Sequence, residues 1–315
     1  MSKIICLGYF DRGNSGDEAF KLAHEWFFDA ENIEFHKARI PAEDVRCRPV
    51  ILGGGDVVAP FFLNWIPQGT KFSMVGVGLK YEQSSIEALK ARGNDLDFAW
   101  YRNRIDVDLC RDAGMNCDYI PDIVFALRNH DVNVPAHLME IVRPSNSKPT
   151  IVICLSDHMN SRFSLADARI TSYLEYFKWE IARTLDELVS GYNIVFLPLS
   201  VYANHQDARF HYEVVRRMRN ARHVKEIREA LHPAVAISLV RRCDFMVSMK
   251  LHGNIYGLLT ERNCVNIGVG RKQTKLYEEA GLDEVSLEPY SFTKDRFLKC
   301  FEAASQPKLK RKISA

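Results

Sequence analysis

The sequence contains no long uninterrupted apolar run, and none of its segments approaches the roughly 20 apolar residues that span a bilayer. Its first apolar run, Ile4-Ile5-Cys6-Leu7, is too short for a signal peptide. Neither sign of charge is in excess, since 42 Lys and Arg stand against 40 Asp and Glu, so there is no bulk reason to expect nucleic-acid binding. We therefore expect a cytoplasmic protein in which any anion site is local.

The sequence also lacks any Cys-x-x-Cys pair and any His, Asp or Glu spacing that would demand a metal. Its eight cysteines are scattered, several of them inside apolar segments. They are typical of small buried side chains in a reducing compartment. We accordingly predict no metal site and no cofactor.

Short β-rich runs alternate with amphipathic segments along the whole chain, which is typical of βαβ units on parallel sheets. In the first half we predict strands over 3–7, 49–52, 71–77, 98–101 and 118–120, with helices over 17–29, 84–92 and 105–113. In the second half we predict strands over 150–155, 194–197, 245–249 and 264–267, with helices over 164–190, 205–219, 232–242, 251–261 and 272–280.

A chain of 315 residues exceeds the size at which one core comfortably keeps growing, and this favours two domains. We predict an α/β protein of two Rossmann-like domains with a cleft between them, covering residues 1–128 and 150–290. The polar, proline-punctuated segment 129–149 is interpreted as a linker. Residues 291–304 are predicted as a C-terminal helix that packs back on the first domain, and 305–315 as a basic tail.

Glycine-rich segments follow the predicted strands of the first half. The first runs from Gly8 to Glu18, with the spacing Gly-x4-Gly-x2-Gly, and it lacks the Lys-Ser/Thr that closes a P-loop. Gly53-Gly54-Gly55-Asp56 and Gly76-Val77-Gly78 follow the next strands. Glycines there allow close approach of a ligand to the backbone, so we expect three turns along one rim of the cleft, although tight structural turns would leave the same pattern.

The segment from Phe245 to Gly253 combines an apolar strand with Lys250, Leu251 and His252 immediately after it. In open α/β sheets the ligand crevice lies outside the carboxyl ends of the strands. A cation and an imidazole at that place suit a small phosphorylated or carboxylated substrate. The alternative is that Lys250 is solvated and His252 only caps or packs the following helix.

Taken together, these motifs resemble the polysaccharide pyruvyl transferases over most of the chain. The resemblance is carried by the segment from Gly8 to Glu18, by Gly53-Gly54-Gly55, and by Arg102 after a predicted strand. It is also carried by Pro121-Asp122-Ile123-Val124-Phe125, by Lys250-Leu251-His252 where the family usually has Arg-Leu-His, and by Lys272.

The resemblance implies a fold like that of the GT-B glycosyltransferases and transfer of the pyruvyl group of phosphoenolpyruvate to sugar hydroxyls as a ketal. His252 is then the expected general acid. The residues expected to bind phosphoenolpyruvate are Arg102, Lys250, Leu251, Lys272, Gly54 and Gly55. Those expected to contact the acceptor are Asn14, Asp17, Asp56, Asp157 and His158.

Other interpretations remain open from the sequence. Lys250 stands where the family has an arginine, and its ammonium group is a point charge that lacks the planar, bidentate geometry of a guanidinium. Arg102 and Lys272 could each form a surface salt bridge instead of binding a substrate. The same fold would serve a GT-B glycosyltransferase that uses a nucleotide sugar, or a noncatalytic glycan- or anion-binding relative. The acceptor, which can be lipid-linked and met at a membrane surface, and the oligomeric state are not specified by the sequence.

Overall fold

The computed structural model of the chain describes residues 2–156, 168–202, 205–268 and 271–306. The chain divides into two compact units, one formed by Met1–Arg12 and Asp17–Asn129, the other by Gly13–Gly16 and His130–Ala315. Each unit contains one six-stranded sheet in which every strand pair is parallel. The predicted α/β class with two parallel-sheet domains is therefore confirmed.

The sheet of the first unit has the strand order β2-β1-β3-β4-β5-β6. Its strands are β1 (Ile4–Leu7), β2 (Ile33–His36), β3 (Val50–Val58), β4 (Phe72–Leu79), β5 (Leu96–Tyr101) and β6 (Cys117–Tyr119). Its helices are α1 (Ser15–Phe28), α2 (Pro60–Leu63), α3 (Glu82–Ala91) and α4 (Arg104–Asp112). The sequence predictions overlap all of these except β2 and α2, which are short.

The two later glycine motifs of the first unit lie inside strands, which corrects the expectation of turns. Gly54 and Gly55 belong to β3 and have φ angles of 77° and 82°, while Gly76 and Gly78 belong to β4. A Cβ added to Gly54 would lie 2.3 Å from the ring of Phe20, on α1, and one added to Gly55 would lie 3.2 Å from it. These glycines thus let α1 pack closely on the sheet, and Phe20 occupies the space beside them.

The sheet of the second unit has the order β11-β8-β7-β12-β13-β14. Its strands are β7 (Thr150–Cys154), β8 (Asn193–Phe196), β11 (Val224–Glu226), β12 (Phe245–Ser248), β13 (Asn263–Ile267) and β14 (Ser286–Leu287), beside a small hairpin of β9 (Val201–Tyr202) and β10 (His205–Gln206). Its helices are α5 (Ala136–Val142), α6 (Ala168–Leu188), α7 (Asp207–Val215), α8 (Pro233–Arg241), α9 (Leu251–Leu259), α10 (Arg271–Glu279) and α11 (Lys294–Ala304). β7, β12 and β13 are buried throughout, as expected for central strands of a parallel sheet covered on both faces.

The segment 130–149 and helix α11 both belong to the second unit. Val132 N donates to Ser238 Oγ at 2.9 Å, so the predicted linker is hydrogen-bonded to α8. Phe301 of α11 stacks on Phe245 of β12 with ring centroids 4.3 Å apart. These aromatic contacts of α11 lie within the second unit, and packing of the helix on the first domain stays a prediction.

All eight cysteines are free, and six of them are buried. Burial raises the pKa of the Cys110 thiol to about 11 and that of Cys264 to about 12. Among the described residues, no helix combines the length and apolar character needed to cross a membrane.

Candidate functional site

The turn between β12 and α9 carries the Lys-Leu-His motif at the carboxyl edge of the second sheet. Lys250 is the N-cap of α9, in extended conformation, and Leu251 and His252 form the first turn of the helix. Ser248 Oγ accepts a hydrogen bond from Lys250 N at 2.9 Å and donates one to Lys250 O at 2.9 Å. A Cβ on Gly253 would lie 2.2 Å from Ser248 Oγ, so glycine is needed for this tight turn.

Lys250 forms a buried ion pair. Its Nζ lies 3.2 Å and 3.0 Å from the two carboxylate oxygens of Asp207, and the side chains are 7% and 0% exposed. Asp207 Oδ2 also accepts hydrogen bonds from Leu199 N at 3.0 Å and Ser200 N at 2.7 Å. The charge of Lys250 is therefore balanced by a carboxylate, and the pair fixes the loop that follows β8.

The loop that follows β8 is hydrogen-bonded to residues 13–15, which lie close to the N-terminus of the chain. Ser15 N donates to Leu199 O at 2.7 Å, Val201 N donates to Gly13 O at 2.9 Å, and Asn14 forms a β-bridge with Ser200. The sequence predicts that the glycine-rich segment from Gly8 to Glu18 lies in the first domain. In the structure, residues 13–16 of this segment belong to the second unit.

Tyr256 of α9 forms hydrogen bonds with Ser15, in the same segment 13–16. Its hydroxyl donates to Ser15 O at 2.9 Å and lies 3.0 Å from Ser15 Oγ, and Tyr256 is fully buried. Asn14 Oδ1 accepts from Gly16 N at 3.1 Å, which shapes the start of α1. Asn14, a predicted acceptor contact, thus lies in the second unit with its side chain in this turn.

His252 lies directly against the backbone of Gly16. A Cβ added to Gly16 would be 2.1 Å from His252 Nδ1 and 2.4 Å from its Cγ. Gly16 is the third glycine of the first motif, and its bare backbone is what admits the imidazole ring. The sequence could not show this contact because 236 positions separate the two residues along the chain.

Lys272 lies in the first turn of α10, which follows β13, the neighbour of β12 in the sheet. Gln273 Nε2 donates to Met249 O at 3.2 Å, so this turn is tied to the turn that holds Lys250. The structure accordingly brings Lys250, His252 and Lys272 to one edge of the second sheet.

Arg102 of the first unit is held between two carboxylates. Its Nη1 donates to Asp122 Oδ2 at 2.7 Å and its Nη2 donates to Asp56 Oδ1 at 2.8 Å, with 5% of the Arg102 side chain exposed. Gly78 makes room for the network, because a Cβ there would lie 2.6 Å from Asp56 Oδ1. In this network two carboxylates accompany one guanidinium, so negative charge exceeds positive charge around Arg102.

The carboxyl group of Asp106, next to that network, has a raised pKa. Asp106 is buried, and desolvation raises the pKa of its carboxyl although Asn103 and the backbone of Leu79 donate hydrogen bonds to it.

Asp17, a predicted acceptor contact, lies in the first turn of α1, where a carboxylate interacts favourably with the helix dipole. Asp157 and His158, the remaining predicted acceptor contacts, lie outside the described residues.

A cavity of about 800 Å³ in the first unit extends along its sheet. Its lining runs from Ile4 and Val50, near the starts of β1 and β3, to Trp100 near the end of β5 and to Pro121 and Asp122, which follow β6. Ligands of open α/β sheets bind outside the carboxyl ends of the strands. We therefore place the candidate site of the second unit at the carboxyl edge of its sheet, around His252.

The chain matches the profile of a known protein family. The sequence profile described as "Polysaccharide pyruvyl transferase" matches residues 9–271, which is most of the chain. No curated protein sequence matches this chain.

Among solved structures, the fold is similar to those of UDP-N-acetylglucosamine 2-epimerases and of the protein MnaA. A putative enzyme of this kind from Listeria monocytogenes has a TM-score of 0.63 at 8% identity, covering 100% of this chain and 91% of its own. MnaA from S. aureus in complex with UDP has a TM-score of 0.61 at 10% identity with the same coverages, and the Methanocaldococcus jannaschii epimerase has 0.61 at 10% identity over 98% and 94%. At these identities the likeness shows a fold of GT-B type and nothing more.

Proposed function

The chain belongs to the polysaccharide pyruvyl transferase family, and we propose that it transfers the pyruvyl group of phosphoenolpyruvate to two hydroxyls of a sugar, forming a ketal. The observation that carries the proposal is the placement of His252. Its imidazole is held against the backbone of Gly16 in the first turn of α9, at the edge at which open α/β sheets generally bind ligands. A titratable group so closely confined suits directed proton transfer.

His252 is the general acid in this proposal. It donates a proton to the methylene carbon of phosphoenolpyruvate while one sugar hydroxyl attacks the neighbouring carbon and forms a C–O bond. The proton of that hydroxyl restores His252. The second hydroxyl then attacks the same carbon, the bond to the phosphate oxygen breaks, and inorganic phosphate leaves with the second hydroxyl's proton.

The amino end of α9 supports binding of the donor beside His252. The free backbone amides of a helix N-terminus attract carboxylate and phosphate groups, and α9 begins at Leu251. Lys272 is the nearby cation proposed to complete this anion site, since its turn is tied to Met249 through Gln273. Lys250 contributes by holding the loop after β8 through Asp207.

Direct binding of phosphoenolpyruvate by Arg102 stays a prediction. Both terminal nitrogens of its guanidinium already donate to Asp56 and Asp122 in this structure. A ligand anion would need to displace or protonate one of these carboxylates.

The decisive experiment measures phosphate release from phosphoenolpyruvate with and without a panel of glycosides. We expect release only with an acceptor, and a product of the mass of the pyruvate ketal. In D2O the new methyl group should carry one deuterium, because the methylene carbon takes its proton from an exchangeable group. Release of UDP from UDP-sugars would instead favour the nucleotide-sugar alternative, and no turnover with either donor would favour a binding protein.

The role of His252 is tested by His252→Asn, with the exposed His223→Asn as the matched control. We expect turnover to fall roughly 10²- to 10⁴-fold in His252→Asn, with phosphoenolpyruvate affinity still measurable. The control should retain wild-type turnover. Unchanged turnover in His252→Asn would remove the imidazole from the mechanism.

A further inference from the structure

Three aromatic side chains lie at the carboxyl edge of the first sheet, apart from the residues discussed so far. Tyr9 follows β1, Phe61 follows β3 by three positions, and Tyr81 follows β4 by two. Because β1, β3 and β4 are adjacent parallel strands, the three positions share the edge at which open α/β sheets bind ligands. We refer to Tyr9, Phe61 and Tyr81 as the aromatic cluster.

The aromatic cluster has a rigid support. Phe61 packs on the buried Phe62 with ring centroids 4.3 Å apart, and edge-on against Trp65 at 5.8 Å. Phe62 in turn meets Tyr9 edge-on at 6.4 Å. Phe61 and Tyr81 nevertheless remain 37% and 53% exposed, so aromatic surface is presented to solvent from a fixed base.

The backbone beside Tyr81 is fixed to β3. Lys80 N donates to Val58 O at 3.0 Å, and Ser85 Oγ donates to the same oxygen at 2.6 Å while accepting from Tyr81 N at 3.3 Å. Lys80 and Tyr81 are thus placed by hydrogen bonds to a buried strand and do not depend on loop flexibility for their position.

Two cations lie over these rings. Lys80 Nζ is 5.0 Å from the ring centroid of Phe61 and 5.8 Å from that of Tyr81, and Arg12 Cζ is 5.1 Å from that of Tyr9. Within the described part of the chain, neither cation has a carboxylate at ion-pair distance, in contrast to Arg102.

Arg12 also has a donor with no acceptor. Its Nε is buried and makes no hydrogen bond, which ordinarily costs a protein about 1–3 kcal/mol. An exposed cation–π contact contributes only about 0.5–1 kcal/mol, less than the roughly 1.5–3 kcal/mol of a hydrogen bond to a charged group. An anionic group on a ligand would therefore bind either cation more strongly than its ring does.

We propose that the aromatic cluster, Lys80 and Arg12 form an acceptor subsite for a sugar that carries a negative charge. The C–H face of a pyranose packs on Phe61 and Tyr81, since an aromatic face is apolar and electron-rich, and a carboxylate or phosphate on the sugar is held by Lys80, with Arg12 over Tyr9 as a second cation at the same edge. Assignment of the ligand as the acceptor sugar rests on the proposed function, whereas the anionic-sugar chemistry follows from the side chains.

Binding to the full-length chain tests the subsite without any turnover. The probes are methyl glucuronide, a sugar 1-phosphate and methyl glucoside, titrated by NMR or calorimetry. We expect the two anionic sugars to bind about tenfold more tightly than the neutral glycoside, a preference that weakens as salt is added. Comparison of the two anionic probes distinguishes a carboxylate from a phosphate as the recognised group.

The variants separate charge from stacking. Lys80→Gln should remove most of the preference for anionic sugars and leave methyl glucoside binding within about twofold, while Tyr81→Ala should weaken all three sugars. The controls are Lys90→Gln and Tyr212→Ala, two exposed side chains elsewhere, which should change nothing. Equal binding of charged and neutral sugars by the wild-type chain, or equal losses in Lys80→Gln and Lys90→Gln, would overturn the proposal.

Phosphoenolpyruvate is the remaining probe, and it keeps the two proposals apart. Its affinity should be unaffected by Lys80→Gln, and a parallel loss would mean that Lys80 belongs to the donor site, which overturns the assignment. If pyruvyl transfer is never observed but anionic sugars still bind through Lys80, the proposed function fails while the subsite stands.

Discussion

Gly16→Ala is the substitution that tests the candidate site most directly. The new Cβ would lie 2.1 Å from His252 Nδ1, 2.4 Å from Cγ and 2.8 Å from Cε1. Ordinary contacts between such atoms are about 3.5–4.0 Å, so the imidazole must move by more than about 1 Å or the backbone of the turn must shift. Either change disturbs the placement on which proton transfer depends.

The expected size of the effect follows from that displacement. Overpacking of this kind costs about 1–3 kcal/mol of folding free energy. A misplacement of about 1 Å in a catalytic group lowers the rate by about 10²-fold. We therefore expect a folded variant with modestly reduced stability and a turnover number reduced about a hundredfold, with little change in phosphoenolpyruvate affinity.

Three measurements are needed on the same preparation. Urea unfolding gives the free energy of unfolding, acceptor-dependent phosphate release gives turnover, and ¹H–¹⁵N NMR of the imidazoles reports the ring environment of His252. The matched control is Gly191→Ala, because nothing lies within 4 Å of the Cβ that this change would add. That control should keep wild-type activity.

Two outcomes would refute this reasoning. Turnover of Gly16→Ala within twofold of wild type would show that the contact does not position a catalytic imidazole. Lost turnover with unaltered His252 imidazole signals would show that Gly16 acts elsewhere.

Three further predictions concern stability and accessibility. Burial lowers the pKa of His24 to about 4, so the unfolded state alone takes up this proton between about pH 6.5 and 4. The free energy of unfolding should therefore fall by about 3 kcal/mol as the pH is lowered through that range. His24→Leu should remove this part of the pH dependence. Lys250→Met should destabilise the chain by about 3–5 kcal/mol because it leaves Asp207 as an uncompensated buried charge, and adding Asp207→Asn should recover part of the loss, as measured by urea unfolding. Cys47 is the exposed thiol and should react first with a maleimide reagent, as mass spectrometry of the native chain would show.

Each of these has a contrary result. An unfolding free energy that depends equally on pH in wild type and His24→Leu would show that the buried imidazole is not the group responsible. A double variant of Lys250 and Asp207 that is no more stable than Lys250→Met would show that the ion pair is not the source of the loss. Faster labelling of a buried cysteine such as Cys154 than of Cys47 would contradict the accessibility seen here.

The sequence predicts the central elements well for a physical reason. Buried strands such as β7 and β12 are mostly apolar, and α9 begins soon after β12, so local pattern and tertiary environment agree. The short strands β11 and β14 have only three and two residues and depend on pairing with β8 and β13 for their existence. Local pattern carries no signal of that kind.

The sequence predicts the candidate site less completely, because the contacts that build it join residues far apart along the chain. The position of His252 after a strand is visible in the sequence, but its contact with Gly16 is not. The sequence identifies Lys250 as a cation at a sheet edge, whereas its partner Asp207 lies 43 positions away. The glycines at 54 and 55 are read as turn residues because glycine usually marks turns, yet here they accommodate Phe20.

The return of residues 13–16 to the second unit makes that unit discontinuous along the chain. A fragment spanning 130–315 would therefore lack part of its own structure. Leu199 O and Val201 N would lose their backbone partners, and the buried hydroxyl of Tyr256 would lose Ser15. Any dissection of this protein into independently expressed halves has to supply the tetrapeptide Gly-Asn-Ser-Gly to the C-terminal half, whether by circular permutation or as an added peptide.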